Sequence, residues 1–403
     1  MAFTIKDEHR ADLEKTIKRL DSSFFFYDLD ALKEHLEHLS TVMDKDIRLW
    51  YACKANPLSA ILKIFRNLGF GLDVASKGEL DHVLSSGIKA SEVIATGPSK
   101  SRKYMRELLK NDVKNIVCES INQVKWLNEA ANELNVRPQV LLRLQLEWNE
   151  GKSVLGGDDI TPFGEDYETW SQLNCKDYPH IDINGLHIFQ WGNIMDINQL
   201  KKIWWKIAQT SKDLAQKIDL ELKVLDLGGG IGIPYDLATS PVQAQSVNEA
   251  LIELKEKFQL KKVWMELGRY AVGPFGKYFT QVIDRKTVRG REILVTDGGI
   301  NHIARPAITN QSFPAQMFRK SEKENGKFFV HGPLCTAIDF LGEFDLPSDI
   351  NEGDWLCFHQ AGAYGFTEAM PFFLCHNLPA EVIMYQGDFM TPRTPKTSTD
   401  WLV

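Results

Sequence analysis

The chain has 403 residues, of which 43% are hydrophobic and 25% are charged, and its formal net charge is −7. Basic and acidic residues are interspersed, so the sequence offers neither the basic patch of a nucleic-acid-binding protein nor a membrane-surface patch. Its apolar runs are too short to span a bilayer. A chain this long exceeds one ordinary core, which predicts two domains. Six cysteines without Cys-x-x-Cys spacing predict free thiols in a reducing, cytoplasmic setting.

Eight short apolar runs alternate with helical segments between residues 24 and 272. The runs cover residues 47–52, 71–74, 93–96, 115–118, 139–146, 183–189, 222–227 and 262–266. The segments between them, such as residues 120–134 and 199–218, repeat apolar positions with helical spacing. This alternation is typical of an α/β fold with parallel strands and outer helices. We predict a (β/α)8 barrel over residues 24–272, with its site at the carboxyl ends of the strands and an open doubly wound sheet as the alternative.

The pattern changes after about residue 270. Strand-like segments follow at residues 277–284, 292–296, 354–359 and 380–386. We therefore predict a β-rich second domain, built as a barrel or sandwich, from residues 1–23 and 273–403. The loop of residues 148–164 follows a predicted barrel strand, where an active-site lid would lie, and residues 391–399 are expected to form a disordered tail.

Lys54 follows directly on the first predicted barrel strand. A lysine desolvated at a strand end has a lowered pKa, which makes its amine a nucleophile able to form a Schiff base. A lysine in such a place is also commonly salt-bridged or turned towards solvent. The polar groups at the other strand ends favour the first interpretation.

Two motifs late in the predicted barrel supply such groups. Gly228, Gly229 and Gly230 follow the seventh strand, where backbone amides without Cβ atoms can bind a phosphate, although a tight turn needs the same glycines. Glu266 ends the eighth strand and Arg269 comes three residues later, which suits a pyridinium proton and a phosphate respectively. A strand-end salt bridge is the alternative.

Three more polar residues lie at predicted strand ends. His187 could stack on a cofactor ring, although a single strand histidine is more often a satisfied core residue. Asp73 and Glu79 could orient Lys54 and His187, although Glu79 is also an ordinary acid for a helix start.

Two motifs of the second domain place reactive groups in turns. The Gly332-Pro333 pair forces a turn that would present the thiol of Cys335 rather than bury it as a small hydrophobe. Tyr364 lies between small residues, which suits a contact to a phosphate oxygen, and an ordinary tight turn is the alternative.

Together these motifs resemble those of the fold-type III pyridoxal-phosphate decarboxylases, which include the ornithine, arginine and diaminopimelate decarboxylases. They occur in the family's order, as Tyr-Ala-x-Lys-Ala-Asn, Asp-Val-Ala-Ser-x-Gly-Glu, Gly-Leu-His, Gly-Gly-Gly, Glu-x-Gly-Arg, Gly-Pro-x-Cys and Gly-Ala-Tyr-Gly. The likeness extends from residue 24 to about residue 386. The ordered set is specific, although each motif alone is weak.

The resemblance implies an enzyme that uses pyridoxal 5'-phosphate and forms a homodimer with active sites shared across the interface. Lys54 would carry the cofactor, His187 would stack on its ring and Glu266 would pair with its pyridine nitrogen. The phosphate would be held by Gly228, Gly229, Gly230, Arg269 and Tyr364. The partner subunit's Cys335 would return a proton to the substrate after carbon dioxide leaves.

The chain departs from the family pattern where a substrate's distal end would bind. Thr336 follows the cysteine where diaminopimelate decarboxylases have a glutamate, which weakens the case for a free diamino acid. Cys-Thr-x-x-Asp, which ends at Asp339, and Phe-Leu-x-His at residues 373–376 resemble a side branch that acts on amino-acid conjugates. Arg305 would bind a carboxylate of such a conjugate, or else only stabilise a proline turn.

The sequence therefore predicts α-decarboxylation of a small-molecule substrate. A citryl-amino acid of siderophore biosynthesis is preferred, with Arg305, Thr336 and Asp339 as substrate-binding residues. Free diaminopimelate, lysine or ornithine, or an amino acid carried on a protein, are the alternatives. A fold-type III racemase and a non-catalytic pyridoxal-phosphate-binding homologue represent other classes. We expect no metal and no nucleic-acid or membrane partner.

Overall fold

The computed structural model describes residues 5–147, 152–153, 156–157 and 160–402, and the chain forms two compact units. The barrel unit consists of His35–Gly232 and Pro241–Ala271. The sheet unit consists of Met1–Glu34, Ile233–Ser240 and Val272–Val403.

The barrel unit is a closed ring of eight parallel strands, as the sequence predicts. The strands are Ile47–Ala52, Gly71–Val74, Val93–Ala95, Asn115–Cys118, Gln139–Arg143, Asp182–His187, Val224–Asp226 and Lys262–Leu267. The ring closes where the last strand pairs with the first, with Val263 opposite Ile47. All eight predicted runs correspond to these strands, so the (β/α)8 prediction is confirmed.

The interior of the ring is filled by one large apolar side chain from each of six strands. These are Trp50, Ile94, Val117, Leu141, Val224 and Trp264. The rings of Trp50 and Trp264 lie 5.0 Å apart at 60°. Full burial of a side chain of this size stabilises the fold by about 2 kcal/mol relative to an exposed one. The centre of the barrel is therefore filled by apolar side chains, and the polar residues of the candidate site lie at the strand ends.

Helices follow the strands with caps that the sequence supplies. Within the described part of residues 29–272, the helices are Leu29–Val42, Ser59–Asn67, Lys77–Ser85, Arg102–Lys110, Ile121–Leu134, Tyr167–Trp170, Ile197–Lys217, Ala244–Phe258 and Arg269–Val272. Ser76, Ser101 and Ser120 each accept a hydrogen bond from a backbone amide of the helix that follows them. Each such cap contributes about 1 kcal/mol and fixes where the chain turns from strand end to helix.

The sheet unit is built around a mixed sheet of nine strands within its described residues. The strands are Phe24–Asp28, Gly276–Val288, Arg291–Thr296, Ala315–Met317, Asn325–His331, Phe340–Pro347, Trp355–Phe358, Ala380–Tyr385 and Asp388–Arg393. The helix Asp7–Leu20 packs on this sheet through Leu13, beside Phe24, Phe26 and Phe279. A short helix, Arg305–Thr309, begins at Arg305.

The structure divides the chain differently from the predicted boundaries at two places. The strand Phe24–Asp28, which the prediction gave to the barrel, pairs antiparallel with Gly276–Val288 and parallel with Ala380–Tyr385. All five of its residues are buried, and it is not among the eight predicted barrel strands. The segment Ile233–Ser240 also belongs to the sheet unit. The predicted tail at residues 391–399 is wrong, because the strand Asp388–Arg393 and the turn Ser398–Trp401 are ordered there.

Eight of the 17 residues of the predicted lid, 148–151, 154–155 and 158–159, lie outside the described residues. The end of the predicted lid, from Thr161 to Gly164, lies against the barrel. The amide of Gly164 donates to Glu119 (2.9 Å), and Arg143 lies 4.7 Å from the centre of the Phe163 ring. The role of the lid stays a prediction.

Candidate active site

Lys54 lies in a single helical turn, Cys53–Ala55, just after the strand Ile47–Ala52. Its Nζ is 3.4 Å from Oδ2 of Asp73, which comes from the neighbouring strand. The prediction that Lys54 is desolvated is wrong for this structure, because its side chain is 47% exposed while Cys53 and Ala55 are buried. An accessible amine beside a buried carboxylate can nevertheless attack the carbonyl carbon of a bound compound.

Asp73 is a fully buried carboxylate with two partners. Its Oδ1 accepts a hydrogen bond of 2.5 Å from the hydroxyl of Thr96, and its Oδ2 faces Lys54. Burial, and then the nearby charge of Glu266, raise the pKa of Asp73 to about 6, although Lys54 opposes this shift. Asp73 therefore supplies a carboxylate whose charge depends on what occupies the strand ends.

His187 and Glu266 form a buried pair from the two strands that flank Val224–Asp226. Nε2 of His187 lies 2.9 Å from Oε1 of Glu266, and the two side chains are 1% and 7% exposed. Burial lowers the pKa of His187, but the Glu266 carboxylate outweighs burial, so the pKa is raised. Burial raises the pKa of Glu266, but His187 outweighs it in turn, so that pKa is lowered. Both directions favour an ionised carboxylate beside a protonated imidazole.

Asp226 was not assigned a role by the sequence, although it ends the strand Val224–Asp226 beside this pair. Its Oδ1 accepts the amide of Gly228 (2.9 Å), while Oδ2 is buried and has no hydrogen-bond partner among the described residues, as is also true of Nδ1 of His187. Burial, followed by the charge of Glu266, raises the pKa of Asp226 to about 7. His187, Asp226 and Glu266 each offer one polar atom within 4.8 Å of the others, a spacing that would also suit a metal ion.

The glycine turn at residues 228–230 is fixed by close packing. Gly228 and Gly230 have φ of +61° and +113°, which residues with a Cβ rarely adopt. A Cβ at Gly228 would lie 2.7 Å from Cβ of Phe189, and one at Gly229 would lie 2.7 Å from the carbonyl oxygen of Glu266. The turn therefore brings bare backbone against the ends of two neighbouring strands. Arg269, predicted as a second phosphate contact, is buried at the start of the helix Arg269–Val272.

Glu79 has the structural role that the sequence left open as its alternative. Its Oε2 accepts the backbone amide of Ala75 (2.6 Å), and its own amide donates to the hydroxyl of Ser76. These two bonds close the start of the helix Lys77–Ser85. Glu79 thus fixes the turn that follows Asp73, and a direct contact to a cofactor stays a prediction.

A second buried charge network was missed by the sequence reasoning. Arg143 ends one strand and contacts Glu119, which follows the preceding strand, at 3.0 Å, while Lys100 lies 3.9 Å from the same carboxylate. Burial lowers the pKa of Lys100 to about 8, although Glu119 opposes this. All three residues lie at or after the ends of barrel strands, so the rule that selected Lys54 would also have found them.

Cys335 lies in the sheet unit, in the loop between the strands Asn325–His331 and Phe340–Pro347. Its thiol is exposed, as predicted from the preceding Gly-Pro turn. The loop is closed by backbone bonds, from the amide of Thr336 to the carbonyl of Leu334 (2.8 Å) and from Asp339 to Thr336 (3.2 Å). Cys335 is thus held at the tip of a structured turn.

Asp339, which was predicted to bind substrate, is buried against the backbone, and its contact with a substrate stays a prediction. It is 1% exposed, its Oδ1 accepts the amide of Ile300 (2.8 Å), and its Oδ2 accepts the amide of Leu334 (2.7 Å). Burial raises its pKa. Both oxygens are therefore occupied by backbone, and Asp339 positions the loop that carries Cys335.

Arg305 contacts Tyr364 of the Gly-Ala-Tyr-Gly motif and Glu368, which follows that motif. One of its terminal nitrogens lies 2.9 Å from Oε2 of Glu368, a residue that the sequence reasoning did not select. Its guanidinium lies 5.1 Å from the centre of the Tyr364 ring. Tyr364 has φ of +55°, so the small residues beside it accompany a strained turn.

The comparison with protein families identifies the family of this chain. The model of the pyridoxal-dependent decarboxylases, in its pyridoxal-binding domain, matches residues 29–273. The chain belongs to this family. It is therefore an enzyme that uses pyridoxal phosphate and removes carbon dioxide from its substrate.

Curated relatives of the decarboxylase act on both free and conjugated amino acids. This chain is 25% identical to the L-glutamyl-[BtrI acyl-carrier protein] decarboxylase of Niallia circulans, over 97% of this chain and 95% of that relative. It is 28% identical to the 2-[(L-alanin-3-ylcarbamoyl)methyl]-2-hydroxybutanedioate decarboxylase of Staphylococcus aureus, over 90% and 94%. It is 26% identical to the diaminopimelate decarboxylase of Aquifex aeolicus, over 93% and 89%.

Solved structures confirm the fold of the decarboxylase. Diaminopimelate decarboxylase from Helicobacter pylori, complexed with L-lysine, matches it with a TM-score of 0.86 at 21% identity, over 96% of this chain and 98% of that one. Within the described residues, every helix is too short or too polar to cross a membrane.

The strand ends fit a pyridoxal phosphate. His187 and Asp226 keep buried polar atoms without protein partners, Lys54 presents an exposed amine, and the turn at residues 228–230 has no side chains. A carboxylate can pair with the ring nitrogen of the cofactor, an amine can bond to its aldehyde carbon, and bare backbone amides can bind its phosphate.

Proposed function

We propose that this enzyme removes the α-carboxylate of an amino acid whose distal end is conjugated to another group, rather than of a free diamino acid. One observation carries the choice. The loop that presents Cys335 has Thr336 next to the cysteine, and its one carboxylate, Asp339, is buried on two backbone amides. This loop offers no anion to a distal ammonium group, and a desolvated ammonium without a partner is costly.

The names of two relatives support the conjugate class. One acts on a glutamyl group carried by an acyl-carrier protein, and the other acts on an alanyl group joined to a hydroxybutanedioate through a carbamoyl link. The citryl-amino acid preferred from the sequence and a carrier-linked amino acid both stay candidates within this class.

The residues of the barrel unit are proposed to hold and tune the cofactor. Lys54 holds it covalently, Glu266 accepts a hydrogen bond from the ring nitrogen and so keeps that nitrogen protonated, and His187 lies against the ring. The phosphate contacts from this unit are Gly228, Gly229, Gly230 and Arg269. Bound pyridoxal phosphate supplies an electron sink for the electron pair left at Cα when carbon dioxide departs. Asp73, 3.4 Å from Lys54, keeps the amine oriented.

Cys335 is proposed to deliver the proton that replaces the carboxylate at Cα. Its exposed thiol suits this role, since a proton donor must reach a bound substrate. We further propose a homodimer in which the partner subunit's Cys335 completes each site. Mixing inactive Lys54→Ala with inactive Cys335→Ala would restore about a quarter of the activity if sites are shared, and none if each chain is self-sufficient.

A substrate panel tests the proposed class. Purified holoenzyme is given free diaminopimelate, lysine and ornithine, a citryl-linked amino acid, and a glutamyl group on an acyl-carrier protein, and products are followed by mass. We expect carbon dioxide to be lost from at least one conjugate at a kcat/KM at least about tenfold above that for any free diamino acid. The reverse order would refute the conjugate class, and a product that keeps its α-carboxylate would indicate a racemase.

A further inference from the structure

The ion pair between Arg305 and Glu368 lies next to the residue expected to meet the cofactor phosphate. The side chain of Arg305 is 13% exposed and that of Glu368 is 33% exposed, so both are largely withdrawn from water. The guanidinium also lies over the ring of Tyr364, four residues before Glu368. A charge pair in this setting is screened less than one on the open surface.

Backbone hydrogen bonds fix this pair relative to the Cys335 loop. The amide of Ile300 donates to Asp339, while the carbonyl of Ile300 accepts the amide of Met370 (3.0 Å). One residue, Ile300, therefore ties the segment before Arg305 to the loop of Cys335 through its amide and to the segment of Glu368 through its carbonyl. The ion pair and the thiol belong to one connected structure within the sheet unit.

Glu368 compensates the charge that the sequence assigned to substrate binding. Arg305 was expected to receive a carboxylate of a citryl group, yet its partner is already a carboxylate of the same chain. A substrate with a free distal carboxylate would have to displace Glu368 and leave it without its partner, whereas an uncharged carbonyl group would not. The pair therefore presents a surface of no net charge.

We propose that Glu368 is a specificity-determining residue that masks Arg305, so that the enzyme takes an amino acid joined through an uncharged amide, ester or thioester in preference to one with a free distal carboxylate. This inference rests on the proposed conjugate function and narrows it. Among the two conjugates above, it favours the carrier-linked amino acid over the citryl-linked one.

The test compares two probes that differ by one charge. L-glutamate and its side-chain N-methylamide are given to the holoenzyme of the wild type, Glu368→Gln, Arg305→Gln and the double variant, and kcat/KM is measured for each. The wild type should prefer the amide. Glu368→Gln should shift the preference towards the acid by about tenfold or more, because Arg305 is then free to bind a carboxylate. The double variant should lose this gain.

Two controls separate charge masking from structural damage. Glu343 pairs with Lys327 at 2.9 Å on neighbouring strands of the same unit, so Glu343→Gln removes an equivalent charge elsewhere and should leave the preference unchanged. If Glu368→Gln is insoluble, Arg305→Gln still decides. A masked arginine predicts a loss of less than about threefold on the amide, and a greater loss would overturn the proposal.

The outcomes also separate this inference from the proposed function. An unchanged preference in Glu368→Gln, with the amide still turned over, would overturn the masking role alone. If the wild type instead decarboxylates ornithine or diaminopimelate and Glu368→Gln loses that activity, Glu368 binds a distal ammonium, and the conjugate function falls with it.

Discussion

The two sets of polar residues in this enzyme are held in different ways. At the carboxyl ends of the barrel strands, Asp73, Asp226 and Glu266 are buried charges whose pKa values depend on one another. In the sheet unit, the exposed Cys335 is held by a loop whose backbone bonds are fixed by one buried aspartate. The first arrangement suits a permanently bound cofactor, which replaces the solvent that these groups lost. The second suits a substrate that enters and leaves.

We expect the greatest loss of activity from a substitution of Lys54 among the polar residues of the barrel unit. Lys54→Ala should abolish covalent attachment of pyridoxal phosphate and lower kcat by at least about 10³-fold, because the amine that anchors the cofactor is removed. Borohydride trapping followed by mass measurement checks the attachment. Because Lys54 is half exposed, the variant should fold normally. Retention of the trapped mass would remove Lys54 from this role.

The second largest loss of activity is expected from a substitution of Cys335 in the sheet unit, which leaves the barrel unit unchanged. Cys335→Ala should lower kcat by about 10²- to 10⁴-fold through loss of the proton donor, while the absorbance of the bound cofactor stays unchanged. Cys375→Ala, which removes the other exposed thiol, is the matched control and should retain full activity. Equal effects of the two variants would contradict a specific role for Cys335.

A smaller effect sharpens the distinction between reacting and positioning residues. Asp339→Asn replaces one acceptor oxygen with an amide, so the amide of Ile300 or that of Leu334 loses its partner, at a cost of about 1–3 kcal/mol. We expect a fall in kcat of about tenfold with KM and the cofactor spectrum little changed. Asp345→Asn, an exposed position on the adjoining strand, serves as control. A large rise in KM instead would restore Asp339 as a substrate contact.

The smallest effect concerns stability against pH in the cofactor-free protein. The pKa of Asp226 is raised to about 7, so the folded state binds a proton that the unfolded state has released between about pH 4 and 7. Stability from this group is therefore present at low pH and is lost as the pH rises through 7.

Asp226→Asn cannot lose this proton, and it keeps an oxygen for the amide of Gly228. Urea unfolding should show the variant losing less stability than the wild type between pH 5 and 8, by on the order of 1–3 kcal/mol. Parallel curves for the two proteins would show that Asp226 has no raised pKa.

The sequence predicted the barrel well because its signals are local. Eight apolar runs and their helices set the strand count, and strand-end positions marked Lys54, His187 and Glu266. The strand Phe24–Asp28 was misassigned because a fully buried strand looks the same in either unit, and its partner Ala380–Tyr385 is distant along the chain. The Arg305–Glu368 pair and the inward turn of Asp339 depend on how separate loops meet, which no local pattern records.

The central claim is that this enzyme decarboxylates an amino acid joined through an uncharged link. The most direct measurement is a competition in which one holoenzyme sample receives equal concentrations of diaminopimelate, a citryl-linked amino acid and a glutamyl-acyl-carrier protein, with each product followed by mass. We expect the carrier-linked glutamyl group to lose carbon dioxide first. Earlier loss from diaminopimelate would contradict it.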